Sequence, residues 1–136
     1  MAKLVFTDAT VTINAVDLST AISSVVLNSS IDSIETTAFG TTGARARIGG
    51  LADNSVTLEF AQDYAADEVE ATIFPLIGTV TTVTVKPTSD ATSATNPIYT
   101  VSCLVAEWSP VGGSVGELAT VSVTWPVSGA ITKATS

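Results

Sequence analysis

The sequence has no histidine and a single cysteine, Cys103. These two absences remove a large part of protein chemistry. Without histidine there is no Ser-His or Cys-His nucleophile pair, and a zinc site lacks both imidazole and a second thiolate. A lone cysteine closes no internal disulfide. Charge is also scarce: Asp, Glu, Lys and Arg make up 13% of the chain, about half the usual share in soluble domains. Cations are the rarer kind, 5 Lys and Arg against 13 Asp and Glu, for a net charge of −8. An acidic surface repels phosphate backbones, which argues against conventional nucleic-acid binding. No apolar run approaches the roughly 20 residues a membrane helix needs, and no basic amphipathic stretch suits an anionic bilayer. The start of the chain has no apolar signal core before Asp8, so synthesis and folding in a cytoplasm are expected.

What fills the space is Thr, Ser, Ala and Val. Val and Thr are β-branched and fit a pleated surface. The 136 residues suffice for one core, and residues 1–136 are read as a single domain. Alternation of apolar and polar residues dominates. Val11 and Ile13 alternate with Thr10, Thr12 and Asn14, and Val56, Leu58 and Phe60 with Ser55, Thr57 and Glu59. Val83 and Val85, then Tyr99, Val101, Cys103 and Val105, then Ala119, Val121, Val123 and Trp125 repeat the pattern. Further strands are expected near Leu4 to Phe6 and from Val25 to Thr36, with a bulge or bend at Asn28-Ser29-Ser30. The tail after Val127 reads as one more short strand or an arm. The total is a mainly β chain of roughly eight strands.

One segment, Ala66 to Ile77, changes period. Val69, Ile73, Leu76 and Ile77 recur at helical spacing, acids gather at its start, and Gly78 is a stop. A short α-helix over about 66–77 is expected, with Asp63 as its candidate cap and an irregular last turn at Pro75. Asp63, Asp67, Glu68 and Glu70 also raise the question of acid–base catalysis or calcium. The alternate-position ligands and glycine turn of a calcium loop are missing, so a dipole-matched helix start is the better reading. The glycine-rich loop Ala38 to Gly50 has no Gly-Lys-Ser/Thr pattern and no amphipathic helix after it, so it is not a phosphate cradle. No catalytic, cofactor-binding or metal-ligating residue is assigned, and an enzyme is not expected.

Three readings remain open on the residues alone. Arg45 and Arg47, the only arginines, are either part of a solvated loop or a cationic contact for an acidic patch on a neighbouring subunit. Trp125 fits the core better than a sugar-stacking platform, because it lies on the apolar face of a clean alternation. Trp108 falls on the opposite parity from Val101 and Val105, so that second face must be covered by the helix, another sheet or a partner.

The order of segments resembles the major tail protein, or tail tube protein, of long-tailed, non-contractile bacteriophages. The stretches that carry the resemblance are Val11-Thr-Ile-Asn-Ala-Val-Asp-Leu-Ser19, Thr36-Thr-Ala-Phe-Gly40, Ile48-Gly-Gly-Leu51, Phe60-Ala-Gln-Asp-Tyr64, Asn96-Pro-Ile-Tyr99 and Ser114 to Gly129. Ala15 stands where a glycine is expected in the first hairpin. The resemblance implies a β-sandwich with one flanking helix, the tail-tube fold. It implies six-membered rings of this chain stacked into a hollow tube, with a four-stranded sheet from each copy joined in a continuous inner barrel. At −8 per chain a ring of six would carry about −48, and such a lumen would pass DNA during ejection without binding it. Glu59, Thr120, Ser122 and Thr124 are the lumen-facing candidates. The Ala38 to Gly50 loop corresponds to the hairpin that reaches an adjacent ring, with Phe39, Arg45, Arg47 and Ile48 as contacts. Implied partners are other copies of itself, a tape-measure protein, a tail terminator and distal tail proteins. The implied location is the virion tail, assembled in the bacterial host cytoplasm.

Two other readings use the same residues. An immunoglobulin-like or carbohydrate-binding adhesion module would show the same alternation. Within the same fold, a tail terminator or the tube protein of a contractile secretion system is the alternative.

Overall fold

In the computed structural model, which describes residues 4–40 and 43–136, the alternating segments become eight strands in two antiparallel sheets. The strands are β1 (Thr10–Ile13), β2 (Val16–Asp17), β3 (Ile22–Glu35), β4 (Arg47–Ala61), β5 (Val80–Lys86), β6 (Ile98–Leu104), β7 (Thr120–Pro126) and β8 (Thr132–Ala134). One sheet has five strands in the order β2-β1-β5-β6-β8, the other three in the order β3-β4-β7. The expected mainly β sandwich with one short helix is what forms.

The period of two explains the core. Val56, Leu58 and Phe60 of β4 and Val121, Val123 and Trp125 of β7 all point inward and are buried. Val11, Ile13, Val83, Val101 and Cys103 meet them from the larger sheet. Each such burial stabilises by roughly 1.5–3 kcal/mol. Trp125 is wholly buried, and its indole N–H donates to the Glu107 carbonyl at 2.9 Å. Phe60 meets Trp108 edge-on at 5.4 Å between centroids, and the Trp108 N–H donates to Glu70 Oε2 at 2.7 Å. The second apolar face near Trp108 is therefore covered by the chain's own helical segment.

That helical segment is shorter than its periodicity suggests. The helix α1 (Val69–Ile73) passes into a 3-10 turn, Phe74–Leu76, which Pro75 accommodates because it offers no N–H. Asp67 has φ +62°, so residues 66–68 cannot join the helix. Asp63 does not cap it: its carboxylate accepts the Ala65 N–H at 2.9 Å, and its carbonyl accepts Glu70 N–H. Gly78 ends the segment in the left-handed region.

Three further expectations change. Leu4 to Phe6 forms no strand, because β2 and β5 already occupy both ladders of β1. Asn28-Ser29-Ser30 stays in register with Ser55, Asn54 and Asp53, and Ser29 Oγ donates to Asn54 Oδ1 at 2.7 Å. The register breaks fall instead at Ile22/Ser24 and Ile31/Ser33. The Ala38 to Gly50 loop is partly strand, since β4 starts at Arg47; Thr41 and Thr42 lie outside the described residues. The tail does form a short strand, β8, on β6. The first hairpin turns through Asn14 and Ala15 with φ +52° and +66°, between the paired Ile13 and Val16. This is a primed two-residue turn, the kind that favours glycine at its second position.

Candidate functional site

Among the described residues no three His, Cys, Asp or Glu side chains come together where a metal could sit. Cys103 is buried in the core, and burial pushes its thiol up to about 11, so it is neutral at ordinary pH. The chemically informative features are surfaces.

The first is the outer face of the three-stranded sheet. Because Phe60, Leu58 and Val56 point inward, Glu59, Thr57 and Ser55 point out. Glu59 pairs in register with Ser122 of β7 and Ser24 of β3, Thr57 with Thr124 and Val26, and Ala61 with Thr120. The hydroxyls of Thr57 and Thr124 lie 3.2 Å apart. Glu59, Thr120, Ser122 and Thr124 are thus brought together on one exposed polar surface. Among the described residues, both outer strands of this sheet, β3 and β7, have no strand on their far side. One outward amide of β7, Thr124 N–H, is held by Glu107 Oε1 at 2.7 Å. The polar-faced sheet has three strands rather than four. β6 meets the end of β7 only at the Cys103–Val127 bridge and otherwise belongs to the larger sheet.

The second surface is an arm. β7 pairs with β4 only from Ser55 to Ala61. Beyond that point β3 and β4 continue as a two-stranded ribbon, with Arg47 to Asp53 extending about 24 Å at ~3.4 Å per residue. Opposite Asp32, β4 carries two residues, Gly50 and Leu51, and this bulge shifts Ile48 onto the face that bears Glu59 lower down, where it meets Ile34. A side chain at Gly50 would crowd this crossing, its Cβ falling 2.7 Å from Ile34 Cδ1 and 3.1 Å from Asp32 Cβ. Ile31, Ile34, Ile48 and Leu51 are all exposed, and Phe39 at the tip is fully so. A backbone bond from Thr36 N–H to Ala46 O (2.8 Å) and a bond from Ala46 N–H to the Thr37 side-chain Oγ1 (2.9 Å) close the base of the tip. A two-stranded ribbon is marginal by itself in water. Five exposed apolar side chains on such a ribbon need a cover from elsewhere.

The two arginines do not act alike. Arg45 Nη1 lies 3.1 Å from Glu35 Oε1 of its own arm, an exposed pair worth little in stability. Arg47 stands across the ladder from Glu35 and forms no ion pair among the described residues. Ile31, Ile34 and Leu51, together with Val111, Val115 and Leu118 of the loop between β6 and β7, are exposed apolar residues that the sequence did not single out. Their spacing matched ordinary strand or loop, and nothing local records where the covering strand stops.

No family profile matches the sequence, and no curated protein is significantly similar to it. Solved structures are similar in fold. A chain of the virion of a native gene transfer agent particle superposes with a TM-score of 0.72 at 16% identity, over 93% of this chain and 95% of that one. A chain from the tail of an empty gene transfer agent particle, solved with C6 symmetry, gives 0.60 at 16% identity, over 82% and 81%. A chain of the anti-feeding prophage baseplate gives 0.57 at 9% identity, over 98% and 97%. Nearly the whole chain therefore has the fold of subunits found in phage-like tail particles.

Proposed function

We propose that this chain is the structural subunit of a tail tube of the non-contractile, long-tailed kind. Six copies form a ring, rings stack, and the outer face of the β3-β4-β7 sheet lines the channel. The observation that carries this reading is the combination on one sheet of a largely polar face, broken beside β7 only by Val26 of β3, and two strand edges with no strand partner among the described residues. Such edges invite pairing with other chains, and closing them into an inter-subunit barrel removes the hazard. A wall of Thr, Ser and Glu59 is wetted and negative, so DNA would pass without being held. The likeness to chains of gene transfer agent particles, one solved with C6 symmetry, supports the ring. In this reading the partners are other copies, a tape-measure protein, a tail terminator and distal tail proteins. The site of action is the virion tail, after assembly in the host cytoplasm.

Negative-stain microscopy of the purified full chain at high concentration tests the proposal. Hollow stacked rings are expected. Rings that never stack would favour the terminator reading, and particles that bind glycans but never form rings would overturn the tube.

A further inference from the structure

A groove on the same molecule lies beyond the reach of its own arm. Between the two sheets, beside the open edge of β3, runs a groove of about 550 Å³. Its walls are mainly apolar: Phe6, Val25, Leu27, Val85, Tyr99 and Ile131. Pockets of roughly 300–1,000 Å³ hold drug-sized ligands, so an aromatic side chain and part of its turn fit. A second depression of about 640 Å³ adjoins it, shares Phe6, Ala9 and Val25, and carries Asp8 and Asp17. Asp8 accepts from Ser89 Oγ at 2.8 Å, and Asp17 accepts from Ser19; neither is ion-paired among the described residues. Lys86 also borders the groove, but its ammonium donates to the Asp90 carbonyl at 3.0 Å.

We infer that this groove of one copy receives the arm tip of another, with Phe39 in the apolar part and Arg47 toward Asp8 and Asp17. The charges match on balance: Arg47 is the arm cation without an ion pair among the described residues, and beside the groove two acids stand against one cation, Lys86. The geometry excludes self-insertion. From Val25 in the groove wall to Glu35 at the arm's end is ten residues of continuous β3, about 33 Å at 3.3 Å each, and a paired ribbon does not fold back on itself. Knob and groove are different surfaces, so the contact is head-to-tail and propagates along an axis rather than closing as a two-fold dimer. This inference rests on the stacked-tube reading and names the receiving surface for its inter-ring contact.

Engineered cysteines test it, because the native Cys103 is buried and will not compete. The pair Phe39→Cys with Val26→Cys places one thiol on the tip and one on the exposed groove rim. Phe39→Cys with Phe6→Cys is the second pair, and thermal unfolding checks that both fold as wild type. Under mild oxidation a ladder of covalent multimers is expected from each pair, whereas each single variant stops at dimers. Phe39→Asp should raise the protein concentration at which stacking begins by about 10- to 100-fold, the usual worth of one buried aromatic contact. Tubes without ladders from either pair would overturn the groove assignment and leave the tube standing. Ladders without tubes would support the groove and sink the tube. Neither ladders nor tubes would overturn both.

Discussion

Replacing Ala15 by glycine should stabilise the folded subunit. Ala15 sits at φ +66° in the two-residue turn between Ile13 and Val16, next to Asn14 at φ +52°. In this region the Cβ of an L-residue crowds the following carbonyl, at about 1–2 kcal/mol. Asparagine tolerates the conformation through its short polar side chain, and alanine has no such relief. Glycine removes the crowding but gives back part of the gain, since its unfolded chain is freer by roughly 0.5–1 kcal/mol. The net expectation is a gain of about 0.5–1 kcal/mol. For a chain of this size that is a rise of roughly 1–4 °C in Tm. Thermal and urea unfolding of dilute, disassembled protein would measure it, with unchanged urea slope. Ala15→Val is the control, because a β-branched residue is worse placed there and should lower Tm. A fall in Tm for glycine, or a rise for valine, would refute the argument.

Unfolded Cys103 loses its proton near 9.0 and folded Cys103 near 11. Between these values the unfolded state holds fewer protons, so stability is full below pH 9 and falls as pH rises to 11, by at most about 2–3 kcal/mol. Urea unfolding across that range should show a shallower decline for Cys103→Ala than for wild type. Arg45→Glu with Arg47→Glu should leave the isolated subunit within about 0.5 kcal/mol of wild type, because the Arg45–Glu35 pair is exposed. The same variant should fail to stack in physiological salt, and normal tubes on a micrograph would contradict the ionic contact. Glu59→Lys should fold normally, yet its assembled tubes should retain DNA in a salt-dependent gel shift where wild-type tubes do not; equal retention would place Glu59 away from the channel.

Much of the sandwich was legible because the alternation is clean where burial is one-sided. Val56, Leu58, Phe60, Val121, Val123 and Trp125 read as one apolar face and form one. The polar counterparts, Glu59 with Thr120, Ser122 and Thr124, followed directly, since period two leaves them only the other face. Legibility ended where structure depends on which ladder is free. Leu4 to Phe6 has strand composition, but both ladders of β1, the strand it leads into, are already taken. The helix stops short because Asp67 is left-handed, which its place in an acidic run conceals. The arm was visible only as a loop, because Gly49 and Gly50 suggest a turn in sequence but in the fold relieve crowding where side chains cross a bulge. Arg45 had a partner within its own hairpin, Glu35, that only the β3–β4 register brings close.

In the proposed tube, the β3-β4-β7 face is the inner wall of an assembly of identical subunits. Helical reconstruction of the assembled full-length protein tests it most directly. The expected map is hollow, six subunits to a ring, with Glu59, Ser122 and Thr124 on the lumen surface and the arm crossing to the next ring. A solid filament, a closed dimer, or a tube with Glu59 on its outside would contradict it.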